Sequence, residues 1–223
     1  MGCHCAASYR HHRHRVYRRG RRGAQRRFLR CPIEALALVG VDGNAVKDVV
    51  LTHMHYDHVG NFHRLPNAQF HLQEVELHYT TGRHIRHPFL ARSFEVEDVA
   101  RVVRLNFAQR VKLYDGTAEL SPGIVPPVGG HKPGMQFVPS IRAAAGSCWR
   151  PTSRIITSME TGRPFTATFN IGDRLEAYDA LRTHAPSPHH VIPGHDPLVM
   201  RQYPAPRPEL EGVVVRLDVM PRG

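Results

Sequence analysis

The sequence has no run approaching 18 consecutive apolar residues, so no membrane span is expected. It has only four cysteines, Cys3, Cys5, Cys31 and Cys148. Cys3 and Cys5 are too close for a zinc ribbon, and no second pair completes one. Without a disulfide framework, a reducing compartment, the cytoplasm, is the expected setting. Acidic residues are missing altogether from residues 1–30, which carry ten Arg. Setting those ten aside from 30 Lys and Arg leaves 20 basic against 19 acidic residues, so the body of the chain is nearly neutral. A nucleic-acid footprint would therefore belong to the tail alone, and no nucleic-acid partner is expected for the rest. Apolar residues are 41% of the 223, enough for one domain with a sizeable core.

The richest stretch is Leu51-Thr-His-Met-His-Tyr-Asp-His58, followed by Val59-Gly60-Asn61. It gathers His53, His55, Asp57 and His58 directly behind Val49-Val50-Leu51, an apolar run that reads as a buried strand ending at Thr52. His53 and His55 alternate by two and point the same way from an extended backbone. Asp57 and His58 fall where the chain is expected to turn into a helix. Imidazole and carboxylate suit zinc, and iron, manganese and cobalt accept the same ligands. With 17 His in the chain, a chance His-x-His pair is plausible, but the full string after a strand is far less so.

Two further loops present histidine. Gly129-Gly130-His131-Lys132-Pro133-Gly134 allows a tight backbone approach. Val191-Ile192-Pro193-Gly194-His195-Asp196 reads as a short strand delivering His195 from a Pro-Gly turn. Thr183-His184 and His189-His190 read as surface. Between the loops the pattern gives a helix from Pro32 to Val39, a return to the sheet over Ala45–Val50 and a strand over Ala68–Leu72. A helix is expected over Gln73–Tyr79 and another over Phe94–Arg104, with acids early and Arg late, then a strand over Val111–Tyr114. Ile124-Val125 precedes the His131 loop. A helix over Leu175–Thr183, a turn over Pro204–Pro208 and a last strand over Gly212–Leu217 complete the pattern. Thr81–Phe89 reads as a basic, partly apolar loop, open to either a pocket-lining or a plain surface role.

The His-x-His-x-Asp-His string resembles the signature of the metallo-β-lactamase superfamily. That resemblance implies an α/β fold, an αββα sandwich with metal ligands on loops at one sheet edge. It also implies that His53, His55 and His131 hold one metal, and Asp57, His58 and His195 a second. Six ligands exceed the roughly four of one tetrahedral zinc. Such a centre lowers the pKa of a water towards ~7 and polarises a carbonyl, while Asp57 passes a proton to the leaving alkoxide. Phe28-Leu-Arg-Cys-Pro-Ile-Glu34, Leu51–Asn61, and Thr161-Gly-Arg-Pro-Phe165 with Pro193-Gly-His-Asp-Pro197 look like the N-acyl homoserine lactonase branch. A small-molecule lactone or ester is then the expected partner. A thioesterase of the glyoxalase II type or a β-lactamase is the alternative enzyme. A metal- or RNA-binding protein acting through the basic N-terminus is the non-enzyme alternative.

The resemblance also implies a metal-bridging carboxylate on a strand end some 20 residues past the His131 loop, yet Phe137–Ser158 contains no Asp or Glu. Shifting the implied codons of Ser147–Thr157 by two nucleotides permits Val-Leu-Ala-Ser-Asp-Val-Ala-His-Tyr-Tyr, with the Asp spanning the Pro151 and Thr152 codons. A one-nucleotide shift of Tyr9–Tyr17 permits Ile-Val-Ile-Thr-Asp-Thr-Gly-Phe, which resembles an early strand of the family. We therefore expect two frame disturbances, before about Arg18 and across Val138–Thr157. Resequencing the coding DNA tests this, and clean coverage of the present frame would overturn it. The expected organisation is a basic non-native or disordered segment over 1–25 and a hydrolase domain over 26–223, short of its first strands. As written, the chain is expected to hold its second metal weakly and to have little activity.

Overall fold

A computed structural model describes residues 30–120, 123–125, 127–138, 161–163, 168–185, 191–219 and 221–222. The expectations for residues 1–25, for the window from 139 to 157 and for His189-His190 lie outside the described residues.

Helix α1 spans Pro32–Ala37, with Pro32 at the first turn, where its missing N–H costs nothing. The main sheet has β1 (Asp48–Val50), β2 (Gln69–Gln73) and β3 (Val111–Tyr114), in the order β1-β2-β3 and parallel throughout. Two more strands, β4 (Ala118–Leu120) and β5 (Gly123–Val125), form an antiparallel pair. Between β2 and β3 run α2 (Glu74–Thr81), a 3-10 turn at Arg83–Arg86, α3 (Pro88–Ala91) and α4 (Val96–Phe107). Helices α5 (Ile171–His184) and α6 (Pro197–Gln202) follow. Among the described residues no helix is long and apolar enough to cross a membrane.

The centre of the sheet is β2. Its alternation predicts one wet face, but both faces are buried: Phe70, His71, Leu72 and Gln73 are each at most 2% exposed. Phe70 and Leu72 enter a core with Leu51, Phe62, Val102, Leu105 and Val111. Each such side chain stabilises the fold by about 1.5–3 kcal/mol. Helix α4 turns Val99, Val102 and Val103 onto that core, an i, i+3, i+4 stripe. The polar face of β2 is satisfied by its neighbours. His71 donates from Nε2 to Asp48 Oδ1 (2.8 Å) and pairs through Nδ1 with the Tyr114 hydroxyl (2.9 Å). One imidazole thereby ties all three strands. Gln73 donates to the Gly116 carbonyl (2.7 Å) and to Gln136 Oε1 (3.0 Å).

Several sequence expectations need correction. The Thr81–Phe89 segment is largely helical turn, because Pro88 opens α3 behind the 3-10 turn. Only Asp48–Val50 of the Ala45–Val50 run pairs in the sheet. Asp57 and His58 lie in a turn rather than at a helix start, and the next helical turn is a 3-10 segment at Phe62–Arg64. Val191-Ile192 is not a strand; it is unpaired chain that leads into a turn. Gly212–Leu217 is also not a strand, since Val213 and Val214 both donate back to the Leu210 carbonyl in a turn. Helix α5 begins at Ile171, four residues before the expected Leu175, because the Asn170 side chain accepts from Gly172 N (2.9 Å) and caps it. Helix α6 was not expected; Asp196 caps it by accepting from Leu198 N, with Pro197 at the first turn.

Candidate metal centre

Strand β1 ends at Val50, and Leu51 still donates to the His71 carbonyl (3.0 Å), so the chain leaves the sheet extended into His53-Met-His55. The C-terminal end of a parallel strand is where open α/β sheets place their sites. Gln136 fixes this exit. Its side-chain amide donates to the Leu51 carbonyl (2.9 Å) and the His71 carbonyl (3.2 Å), and its backbone N–H donates to Thr52 O (3.0 Å). The segment that carries His131 is thus stitched to the end of β1.

The six sequence-selected side chains come together as two trios: His53, His55 and His131, and Asp57, His58 and His195. Within each trio the ligand atoms lie within 4.8 Å of one another. His53 Nε2 is 3.1 Å from His55 Nδ1, and the His131 ring centroid is 5.0 Å from that of His53 and 4.9 Å from that of His55. In the second trio His58 Nε2 is 2.9 Å from His195 Nε2, and Asp57 Oδ2 is 3.5 Å from His195 Nε2 and 3.9 Å from His58 Nε2. The trios are adjacent: the His53 and His58 rings are 4.0 Å apart. Thr52 stands behind both, its hydroxyl 3.3 Å from His53 Nδ1 and 3.1 Å from His58 Nδ1. That contact leaves the two Nε2 atoms facing the site.

The electrostatics suit a cation. Burial, with His58 and His55 as like-charged neighbours, holds the His53 imidazole well below its usual value. Burial and the nearby Lys132 bring His55 down to about 2. Burial brings His58 to about 4, against the opposing pull of Asp57. Neutral rings keep a lone pair to offer. His55 presents Nδ1 to His53 Nε2 at 3.1 Å, so the two neutral nitrogens converge as a metal-ligand pair does. This donor set, five imidazoles and one carboxylate, therefore fits a pair of divalent ions.

Three supporting residues escaped the sequence pattern. Thr52 stands inside the His-rich stretch without being read as a supporting residue, and Glu76 and Gln136 carry no motif signal of their own. Glu76, expected to lie on an ordinary helix, is fully buried at the N-terminus of α2. Its Oε1 accepts from Met54 N (3.0 Å) and its Oε2 from Gly134 N (3.2 Å). Burial pushes its pKa up, while those two amides and Lys132 pull the other way. Lys132 lies over the rings of Tyr79 (4.8 Å) and Phe94 (4.6 Å).

The family model described as the metallo-beta-lactamase superfamily matches residues 20–203. Among solved structures, a variant of AiiA from B. thuringiensis with N-decanoyl-L-homoserine at its active site aligns at a TM-score of 0.49 and 19% identity, covering 68% of this chain and 56% of that one. The hydrolase AbOPH of the β-lactamase superfamily aligns at 0.50 and 16% identity, over 67% of this chain and 56% of that one. AidC, a dizinc quorum-quenching lactonase holding a product, aligns at 0.48 and 15%, over 68% and 57%. The chain thus spans 56–57% of the length of these three structures. The likeness to AbOPH concerns the fold alone. No curated protein matches the chain.

Proposed function

The chain belongs to the metallo-β-lactamase superfamily, and from that premise we propose that it is a two-metal hydrolase whose substrate is a lactone. The observation that carries this reading is the convergence of six ligand side chains into two adjacent trios sharing the Thr52 hydroxyl. His53, His55 and His131 would hold one ion, and Asp57, His58 and His195 the other. Bound there, the ions supply an activated water and a Lewis acid at neutral pH. Asp57, 19% exposed, lies at the open side of the site beside His195. Asp57 would take the proton of the attacking water and return it to the leaving alkoxide. Thr52 keeps His53 and His58 turned with Nε2 inward, as an outer-shell partner does. The lactone is favoured over a thioester or β-lactam by the Phe28–Glu34, Leu51–Asn61, Thr161–Phe165 and Pro193–Pro197 segments.

The carboxylate-free window over Phe137–Ser158 bears on the second ion. Without a bridging oxygen, two cations side by side repel, and the outer one is held by its own trio alone. The chain as it stands should bind its first ion tightly and its second weakly, with low turnover. Metal content and ring opening of an N-acyl homoserine lactone, measured together, test the proposal. They should be measured on this chain and on one with the Asp restored across the Pro151–Thr152 codons. Two ions and chelator-sensitive lactone opening in the restored chain support it. Hydrolysis of a thioester but not the lactone would overturn the substrate class. Failure of both chains to bind metal would overturn the whole reading.

A further inference from the structure

The six ligands come from chain segments far apart in sequence, and the first trio needs two of them in register. His53 and His55 flank Met54, while His131 sits on a loop more than 70 residues later. A metal site tolerates misplacement of only about 0.5 Å before affinity suffers. Something must hold the two loops at a set distance before any ion arrives, because two clustered sets of imidazole lone pairs repel.

Glu76 stands between them. Its two carboxylate oxygens are divided, Oε1 to Met54 N at 3.0 Å and Oε2 to Gly134 N at 3.2 Å. The first amide belongs to the residue between His53 and His55; the second lies three residues after His131. The approach is close enough that a Cβ on Gly134 would come within 2.5 Å of Glu76 Cβ and 2.7 Å of its backbone N. Lys132, one residue past His131, is wedged over the Tyr79 and Phe94 rings and balances the charge of Glu76. A carboxylate with no solvent exposure is a costly way to fasten a fold, since burial strips away its hydration. A side chain that only fills space would be apolar here. A carboxylate gives each of the two N–H donors an oxygen of its own.

We propose that Glu76 is a positioning residue: a buried carboxylate clasp that joins the His53–His55 loop to the His131 loop and preorganises the first metal trio. The inference rests on the two-metal reading above and extends it from the ligands to what sets their spacing. Glutamine at this position keeps the size but offers one acceptor, so one loop is released and its amide left facing an N–H₂ group.

The test is a titration of the metal-free full-length chain with Co²⁺, read by the visible absorption of the bound ion, on the wild type and Glu76→Gln. Hydrogen exchange of the Met54 and Gly134 amides in the wild type accompanies it. The clasp predicts that Glu76→Gln weakens the first ion by roughly 10–100-fold, the usual cost of losing an outer-shell partner. The ion held by Asp57, His58 and His195 should bind as before. It also predicts that both amides are protected before any metal is added. Unchanged Co²⁺ affinity at the first trio in a folded Glu76→Gln chain would overturn the proposal. An equal loss at both trios would also overturn it, because that is the signature of general loosening. Should Glu76→Gln fail to fold, the wild-type exchange decides: fast exchange of either amide in the metal-free chain rejects the clasp. A wild type that binds no Co²⁺ defeats the two-metal reading and leaves the clasp to be judged on exchange protection alone.

Discussion

The two candidate metal trios use nearly the same side chains but are built differently. The first sits just past the end of β1: His53 is 2% exposed and His55 9%, and the backbone around them is fastened by Glu76 and Gln136. The second opens to solvent. The His195 side chain is 45% exposed and arrives on an unpaired segment from 137 residues away. On the clasp proposal, the inner site is shaped by the fold before any ion arrives. In the outer site Asp57 and His58 come from the loop that also carries His53 and His55, and His195 comes from a separate, more exposed segment. The expected consequence is sequential loading, inner site first.

The largest effect should come from removing a ligand on each side of that comparison. His55→Ala is expected to empty the inner site and lower hydrolysis by more than about 100-fold, beyond the cost of an outer-shell change. His195→Ala is expected to remove only the outer ion. Metal content by mass spectrometry, one ion lost or both, reads the difference. Equal losses in the two variants would mean that the trios do not load in order.

Next is the backbone behind the inner site. At Gly130 the φ angle is +76°, and an added Cβ would lie 2.4 Å from Arg174 Cα. Gly130→Ala should therefore destabilise the chain by about 3 kcal/mol or more, because backbone meets backbone and neither can swing away. The urea midpoint measures this. A shift under a third of that size would show that α5 moves freely relative to the His131 loop.

Acid should act in the same direction. His58 titrates at about 4 in the folded chain against an ordinary 6.5. Above 6.5 both states are neutral there, and nothing is gained or lost. Below it the unfolded chain takes up the proton first, so stability falls as pH drops from 6.5 towards 4. The loss from His58 alone is about 3 kcal/mol by pH 4. His53 and His55 are lowered further and extend the loss to lower pH. Urea unfolding of the metal-free chain at pH 7.5 and pH 4.5 checks the sign; a chain more stable at the lower pH would contradict it.

The smallest effect belongs to the outer site. A Cβ on Gly194, beside His195, meets nothing within 4 Å among the described residues. Gly194→Ala should change the unfolding free energy in urea by no more than about 0.5 kcal/mol. A large loss there would show that the outer loop is packed as tightly as the inner one.

Much of this contrast was hidden in the sequence, for definite reasons. The two loops of β-type pattern, Val191-Ile192 and Gly212–Leu217, look like strands because consecutive β-branched residues have β propensity wherever they occur. Neither finds a partner strand among the described residues, and both stay in turns or unpaired chain. Conversely, α6 was legible in principle: Asp196-Pro197 is a cap and first-turn pair. It was read instead as the tail of a ligand loop. The burial of both faces of β2 could not be read at all, since His71 and Gln73 count as polar until their partners on β1, β3 and the His131 segment are known.

What the sequence determined by itself was the chemistry. Ligand identity is a local property: His-x-His-x-Asp-His places four donors within six residues, and Gly-rich turns mark His131 and His195, whatever the rest of the chain does. The central helices and strands were likewise legible where period and caps agreed, as in β2, β3 and α4. The family resemblance already implied how the six donors divide; only the tertiary structure decided which trio is buried, and that Thr52, Glu76 and Gln136 hold them. Those relations join residues up to 137 apart, and no sequence period records a hydrogen bond across such a distance.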